Sequence, residues 1–109
     1  MDMVVKRFEI FLVALDPTIG SEIKKTRPCV IISPDEMNEN INTIIIAPLT
    51  STRKSYPTRI DIKFKNIKGQ VALDQIRTID KGRLIKKIGN ISKNVEDKIC
   101  SILVEMFSK

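Results

Sequence analysis

Phe8-Glu9-Ile10-Phe11-Leu12-Val13-Ala14-Leu15, then Asp16-Pro17-Thr18-Ile19-Gly20-Ser21-Glu22-Ile23-Lys24-Lys25-Thr26-Arg27-Pro28, then Cys29-Val30-Ile31-Ile32 form the stretch whose reading decides the fold. Two apolar runs rich in β-branched and aromatic residues flank a polar, basic segment, which is the pattern of two buried strands joined by a loop. Arg27 stands at the entrance to the second strand. Pro28 fixes its own φ, offers no backbone N–H and biases Arg27 toward an extended conformation, so the guanidinium projects from a defined place. An aimed guanidinium suits a phosphate or a carboxylate.

Downstream, Ser33 as N-cap, Pro34 at the first helical position and Glu36 completing a capping box predict a helix of one or two turns before the poor helix formers Asn38 to Asn42. Thr43-Ile44-Ile45-Ile46-Ala47 is apolar on both faces and predicts a central strand running to Pro48. After a polar loop from Thr50 to Pro57, Arg59 to Lys65 alternates strictly, with Ile60, Ile62 and Phe64 inward and a wet, basic outer face. Turn chemistry at Asn66 to Gly69 and renewed alternation over Gln70 to Asp74 predict a hairpin. A short extended segment over 75–79, a helical turn at Asp80 to Arg83 and a last strand over Leu84 to Ile91 follow. Ser92 then caps the one long helix, whose apolar stripe of Val95, Ile99, Ile102, Leu103, Met106 and Phe107 is made to pack on a sheet. Short strands, turn-rich joints and one terminal helix give a mainly β fold with helices (α+β): a small, strongly curved antiparallel β-barrel with a C-terminal α-helix.

The length of 109 residues fits a single domain over 1–109 with a real core. No apolar run approaches the ~20 residues needed to cross a bilayer and no signal-peptide pattern is present, so a cytoplasmic protein with no membrane partner is expected. Cys29 lies in an apolar strand and Cys100 in a helical pattern without C-x-x-C spacing, and there is no histidine, so no zinc site is expected and both thiols read as small apolar side chains. The net charge of +6 favours a polyanionic partner, and Arg53, Lys54, Arg59, Lys63, Lys65 and Lys68 form a basic run opposed only by Asp61.

The loop also carries a likeness. Asp-Pro-x-x-Gly-Ser-Glu at 16–22 with Arg27-Pro28, then Ser33-Pro34-Asp35-Glu36-Met37-Asn38, Ala47-Pro48-Leu49-Thr50-Ser51 and Leu73-Asp74-Gln75-Ile76-Arg77-Thr78-Ile79-Asp80, resemble in order and spacing the MazF/PemK toxins, the small ribonucleases (mRNA interferases) of type II toxin–antitoxin systems. The resemblance implies an SH3-like barrel, a twofold homodimer, single-stranded RNA as substrate and a cognate acidic, partly disordered antitoxin of the MazE/PemI kind. Arg27 matches the family's catalytic Arg and Thr50 its catalytic Thr, while Glu22 matches a position implicated in activity across parts of the family. Ser21 and Lys25 in the first loop, Ser51, Arg53 and Lys54 in the second, and Asp74, Gln75 and Arg77 in the last block are the candidate RNA-binding residues. The chain departs from the pattern in two places: Phe8 stands where many relatives have Gly, and Ala72 stands where a Kid-like branch has a catalytic Arg.

The chemistry open to these residues is restricted. Without histidine or an acidic cluster, a histidine acid–base pair and a two-metal site are both out of reach, and no cofactor is implied. RNA brings its own nucleophile, the ribose 2′-hydroxyl, so an enzyme need only hold the strand in line, stabilise phosphoryl charge and help move protons. The expectation is a sequence-specific, metal-independent endoribonuclease leaving a 2′,3′-cyclic phosphate and a 5′-hydroxyl. Plainer roles stand beside this: a surface salt bridge for Arg27, a turn hydroxyl for Thr50, a loop salt bridge for Glu22, and a fold contact with Asp80 or Asp74 for Arg77. A non-catalytic SH3-like module binding nucleic acid or protein is the alternative. A gyrase poison like CcdB is a weaker one, because the chain ends Glu105-Met106-Phe107-Ser108-Lys109 rather than Trp-Gly-Ile.

Overall fold

The computed structural model describes residues 3–109, apart from the side chain of Ile67. Strands β1 (Glu9–Ala14), β2 (Thr26–Ile31), β3 (Thr43–Thr50), β4 (Arg59–Phe64), β5 (Ile67–Ala72), β6 (Arg77–Asp80) and β7 (Leu84–Asn90) form a sheet ordered β4-β5-β3-β2-β1-β7, with β6 paired to β3. The pairings are antiparallel. Helix α1 (Asp35–Asn40) follows β2, 3-10 turns Leu73–Gln75 and Lys81–Arg83 lead into β6 and β7, and α2 (Lys93–Phe107) comes last. Ser92 caps α2 as expected, its hydroxyl accepting from Val95 N–H. Among the described residues no helix is long and apolar enough to cross a membrane.

The curvature comes from β3. Its Thr43–Ile46 half pairs with β6, whereas Leu49 and Thr50 pair with Val71 and Gln70 of β5, so one strand serves two partners in succession. The terminal strands β4 and β7 then meet through packing. A Cβ on Gly89 would lie 2.7 Å from Cε1 of Phe64, so the Phe64 ring rests directly on the Gly89 backbone and would have to shift for any larger residue. The result is a curled antiparallel half-barrel with a C-terminal helix, in agreement with the expected fold class.

Both faces of the central strands are buried, which explains their unbroken apolar runs. Phe11, Val13, Cys29, Ile31, Ile44 and Ile46 form one cluster, completed by Val5, Leu15, Ile79 and Leu84. Ile10, Val30, Ile32, Ala47 and Leu49 face the other way, with Ile60, Val71, Leu73 and the buried Ile99 of α2. Val95, Ile102, Leu103 and Met106 pack on this second cluster. Phe107 does not: it is 72% exposed, because at ~100° per residue it falls on the flank of the stripe rather than at its centre.

Other departures have local causes. Ser33 does not cap α1; its hydroxyl donates to Asn38 Oδ1 and accepts from Ile45 N–H, tying the helix to β3. Predicted turn residue Gly69 is instead inside β5, and the hairpin turns at Lys65 and Asn66, both with positive φ, as a two-residue turn requires. The strand expected over Gln70 to Asp74 stops at Ala72, and Asp74 and Gln75 enter a 3-10 turn. Phe8, flagged as a departure, keeps the left-handed backbone a glycine would favour, at φ 71. Its N–H donates to Ile31 and its carbonyl accepts from Ile91, so two backbone hydrogen bonds hold a conformation costing roughly 1–2 kcal/mol in an L-residue.

Candidate active site

Arg27 is the second residue of β2 and Thr50 the last of β3. Cys29 pairs with Pro48, Val30 with Ala47 and Ile31 with Ile46. Carried two residues on, this register sets Arg27 opposite Thr50, where directly facing residues share one side of the sheet. The two line a single open cavity of about 220 Å³ with Pro28, Leu49, Ser51, Ile62, Phe64, Lys68 and Gly69. Its surface is mainly apolar, from Leu49, Ile62 and Phe64, and Arg27, Lys68, Thr50 and Ser51 are among the residues around it. A larger cavity of about 670 Å³ lies elsewhere, between residues 3–6, 38–42 and 81–84, and none of the candidate residues reaches it.

Arg27 donates its Nε–H to the Lys24 carbonyl at 3.1 Å, which orients the fork. Among the described residues it takes part in no salt bridge, so the plainer role considered for it is not realised. Thr50 is 7% exposed, and its Oγ1 accepts from Thr52 N–H at 3.1 Å. The turn role is therefore present, and it uses only a lone pair of the hydroxyl, leaving its proton uncommitted among the described residues. Gly69 is needed here because a Cβ would lie 2.9 Å from the Thr50 carbonyl oxygen. Its value is close approach, which a turn-based reading of the sequence missed.

The other candidates fall into two groups. Ser21, Glu22 and Lys25 are exposed in the β1–β2 loop. Glu22 Oε1 accepts from Ile19 N–H at 2.8 Å, closing its own turn without a salt bridge. Gln75 and Arg77 support that loop from below: Gln75 Oε1 accepts from Ile23 N–H, and Arg77 Nη1 donates to the Leu15 carbonyl rather than to Asp80 or Asp74. Arg53 and Lys54 are in the β3–β4 loop, with Arg53 paired to Asp61 at 3.1 Å. Asp74 is held by both Nε and Nη2 of Arg59, at 2.7 and 3.0 Å, and by the Thr58 hydroxyl. The Arg59 hydrogen bonds keep the Asp74 carboxyl below the ordinary carboxylate range.

Burial pushes the Cys29 thiol up to about 12, against the opposing pull of Arg77 and Arg27, so Cys29 is a protonated core side chain. Among the described residues no three His, Cys, Asp or Glu side chains gather as metal ligands would. Sequence reasoning did not place Lys68, Ile62, Phe64 and Gly69 at the cavity. The alternation of β4 gave the side of Ile62 and Phe64, but the pairing of β5 with the end of β3 is non-local and leaves no mark in either segment.

Residues 6–107 match the family described as PemK-like, MazF-like toxin of type II toxin-antitoxin system. Endoribonuclease EndoA of Bacillus subtilis (strain 168) is 35% identical over 103 residues, covering 89% of each chain. The crystal structure of MazF (Form-I) from Deinococcus radiodurans superposes with a TM-score of 0.84 at 22% identity, over 96% of this chain and 97% of that one. A mycobacterial endoribonuclease in complex with its cognate antitoxin matches at a TM-score of 0.78 and 22% identity, over 93% and 92% of the two chains. With the profile covering nearly its whole length, the chain belongs to the PemK-like, MazF-like toxins of type II toxin–antitoxin systems.

Proposed function

We propose that this toxin is an endoribonuclease that cuts single-stranded RNA at the cavity between Arg27 and Thr50. The observation that carries the reading is that Arg27 and Thr50, opposite one another in the β2–β3 register, both border one cavity together with Lys68 and the apolar Leu49, Ile62 and Phe64. A scissile phosphate suits the polar residues, and an unstacked base the apolar ones. Arg27 binds two non-bridging oxygens through its fork and Thr50 donates to one of them, both more strongly as negative charge grows on the phosphoryl group. The 2′-oxygen bonds to phosphorus as the bond to the 5′-oxygen breaks. The proton lost from the 2′-hydroxyl is balanced by one gained at the leaving oxygen, giving 2′,3′-cyclic phosphate and 5′-hydroxyl ends without a metal.

The supporting roles divide by place. Ser21, Glu22, Lys25, Ser51, Arg53 and Lys54 contact the strand on either side of the cut, Glu22 through the carboxylate oxygen not used in its own turn. Asp74, Gln75 and Arg77 act on RNA through the loops they hold. An acidic antitoxin would compete for this basic surface in the cytoplasm, and two copies of the chain would form the working unit. Support comes from the relative named an endoribonuclease and from the mycobacterial endoribonuclease of like fold that is solved in complex with its cognate antitoxin.

The test is incubation of the purified protein with a long RNA in EDTA, followed by mapping and end-group analysis of the products. Cleavage with cyclic-phosphate and 5′-hydroxyl ends is expected, together with resistance of a strand whose 2′-hydroxyls are replaced by hydrogen. Loss of cutting in EDTA, or equal cutting of the deoxy strand, overturns the mechanism. Tight RNA binding with no cleavage under any condition favours the non-catalytic module.

A further inference from the structure

Gln70 lies in the middle of β5, paired with Thr50 of β3 on one side and with Asp61 of β4 on the other. It is 5% exposed, and a buried amide must find partners. All three of its contacts lead toward the β3–β4 loop. Oε1 accepts from Lys54 N–H at 3.0 Å, and Nε2 donates to the Lys54 carbonyl at 3.0 Å. Accepting from the N–H and donating to the C=O of one residue reproduces the double exchange of an antiparallel pair, so the side chain docks Lys54 as a neighbouring strand would. The second Nε2 proton goes to Asp61 Oδ1 at 2.9 Å, while Asp61 Oδ2 holds Arg53. Gln70, Asp61, Arg53 and Lys54 thus form a closed ring of polar contacts.

This ring matters because the loop has little else. Residues 51–57 are exposed and contribute nothing to either core cluster. The loop is fixed at its start by Thr50 Oγ1 with Thr52 N–H, and at its end by Arg59 N–H with the Tyr56 carbonyl. Between these points, among the described residues, the backbone contact is the one with Gln70.

We propose that Gln70 is a positioning residue that sets which RNA sequence is cut, by fixing the place of Arg53 and Lys54 in the loop that leaves the cavity at Thr50 and Ser51. The proposal rests on the nuclease reading, since it needs a strand lying across Arg27 and Thr50. Gln70 does not touch the reacting atoms; it acts through the loop, and the nucleotides it selects are those flanking the scissile phosphate. The amide is suited to this because it is uncharged, so it can be buried in β5 while imposing one backbone geometry on an exposed loop.

The test is Gln70→Met, which keeps length and apolar burial while removing every hydrogen bond. Cleavage ends are mapped on a long RNA for both proteins, and amide exchange at Lys54 is followed in parallel. The Lys54 amide should lose protection, the KM for the long RNA should rise about tenfold with kcat changed much less, and the set of cut sites should broaden. Should Gln70→Met fail to fold, Gln70→Glu, which keeps the acceptor for Lys54 N–H and loses both donors, is measured in its place. An unchanged cut pattern and KM in a folded variant whose Lys54 amide has lost protection overturns the proposal, as does a loss spread equally over all sites through kcat alone. Failure of the unmodified protein to cut RNA overturns instead the nuclease reading, and the specificity role with it.

Discussion

The two loops flanking Arg27 and Thr50 are both polar and exposed, yet they are held by opposite means. The β1–β2 loop is clamped from outside by long side chains of later elements: Arg77 to the Leu15 carbonyl, Arg83 to the carbonyls of Ala14 and Asp16, and Gln75 to Ile23 N–H. It is also closed on itself, with Asp16 Oδ1 accepting from Lys25 N–H and Leu15 N–H donating to the Lys25 carbonyl. The β3–β4 loop depends on one buried amide at its middle and on the Arg59–Asp74 pair near its end. Arg27 takes its orientation from the clamped loop, through Lys24. Under the proposed mechanism this is a division of labour: Arg27 meets the phosphate from the more rigid side, and the β3–β4 side, held by fewer contacts, can vary in what it recognises with less effect on Arg27.

The largest expected effect tests the rigid side. Arg27→Ala removes both charge and fork from the transition state, so the cleavage rate should fall on the order of 100-fold or more with the fold intact by circular dichroism. Arg27→Lys should recover little, because a point charge cannot make the bidentate contact. Full activity in a folded Arg27→Ala protein would remove the basis for the division.

Next in size is the clamp itself. Arg77→Leu deletes a charged donor to the Leu15 carbonyl and should lower stability by about 2 kcal/mol, read by urea denaturation, with exchange rising at the amides of Ile23 and Lys25. Lost RNA affinity with unchanged stability would make Arg77 a direct RNA contact and leave the two loops more alike. On the other side, Gly69→Ala drives a Cβ toward the Thr50 carbonyl, 2.9 Å away, and two paired strands must part. About 1–2 kcal/mol of stability should be lost, with a drop in cleavage larger than a remote substitution of equal cost produces. Wild-type activity in that variant would mean that the position of Thr50 is not critical.

Much of the frame was legible before any coordinates. The strands around residues 8–32, the two-faced run 43–47 and the capped terminal helix each carry their period and punctuation locally. Arg27 and Thr50 came forward as candidates through resemblance and through Pro28, and the β2–β3 register sets them opposite one another. What escaped has a common cause: Gly69 against Thr50, Gly89 beneath Phe64 and Gln70 on Lys54 all depend on contacts between segments far apart in sequence. A glycine kept for close approach looks, in sequence, like a glycine kept for a turn. Asp74, Gln75 and Arg77 were recognisable as a block, but their hydrogen-bond partners were not, because a charged side chain reveals its partner only once the fold brings it near.

The smallest expected effect concerns the hinge of the tunable loop, and it depends on pH. Arg59 stabilises the charged form of Asp74 in the folded protein, so the carboxyl titrates below the ~3.9 of an unfolded aspartate. Between those two values the unfolded chain binds more protons, and stability therefore rises with pH across that window. The contribution of the pair is complete above ~pH 5 and disappears as pH falls through 4 toward the folded value. With Arg59 largely covered and Asp74 partly open to solvent, about 1 kcal/mol is the expected size. Asp74→Asn should lower stability by that amount at pH 7, and the gap from the unmodified protein should narrow steadily as pH falls below ~4, as read from urea midpoints at a series of pH values. The loss should fall on the β3–β4 side, raising exchange at the amide of Leu73, which donates to the Thr58 carbonyl, and leaving Lys25 unchanged. Equal loosening of both loops would mean that they share one support and that the division between a rigid and a tunable side does not hold.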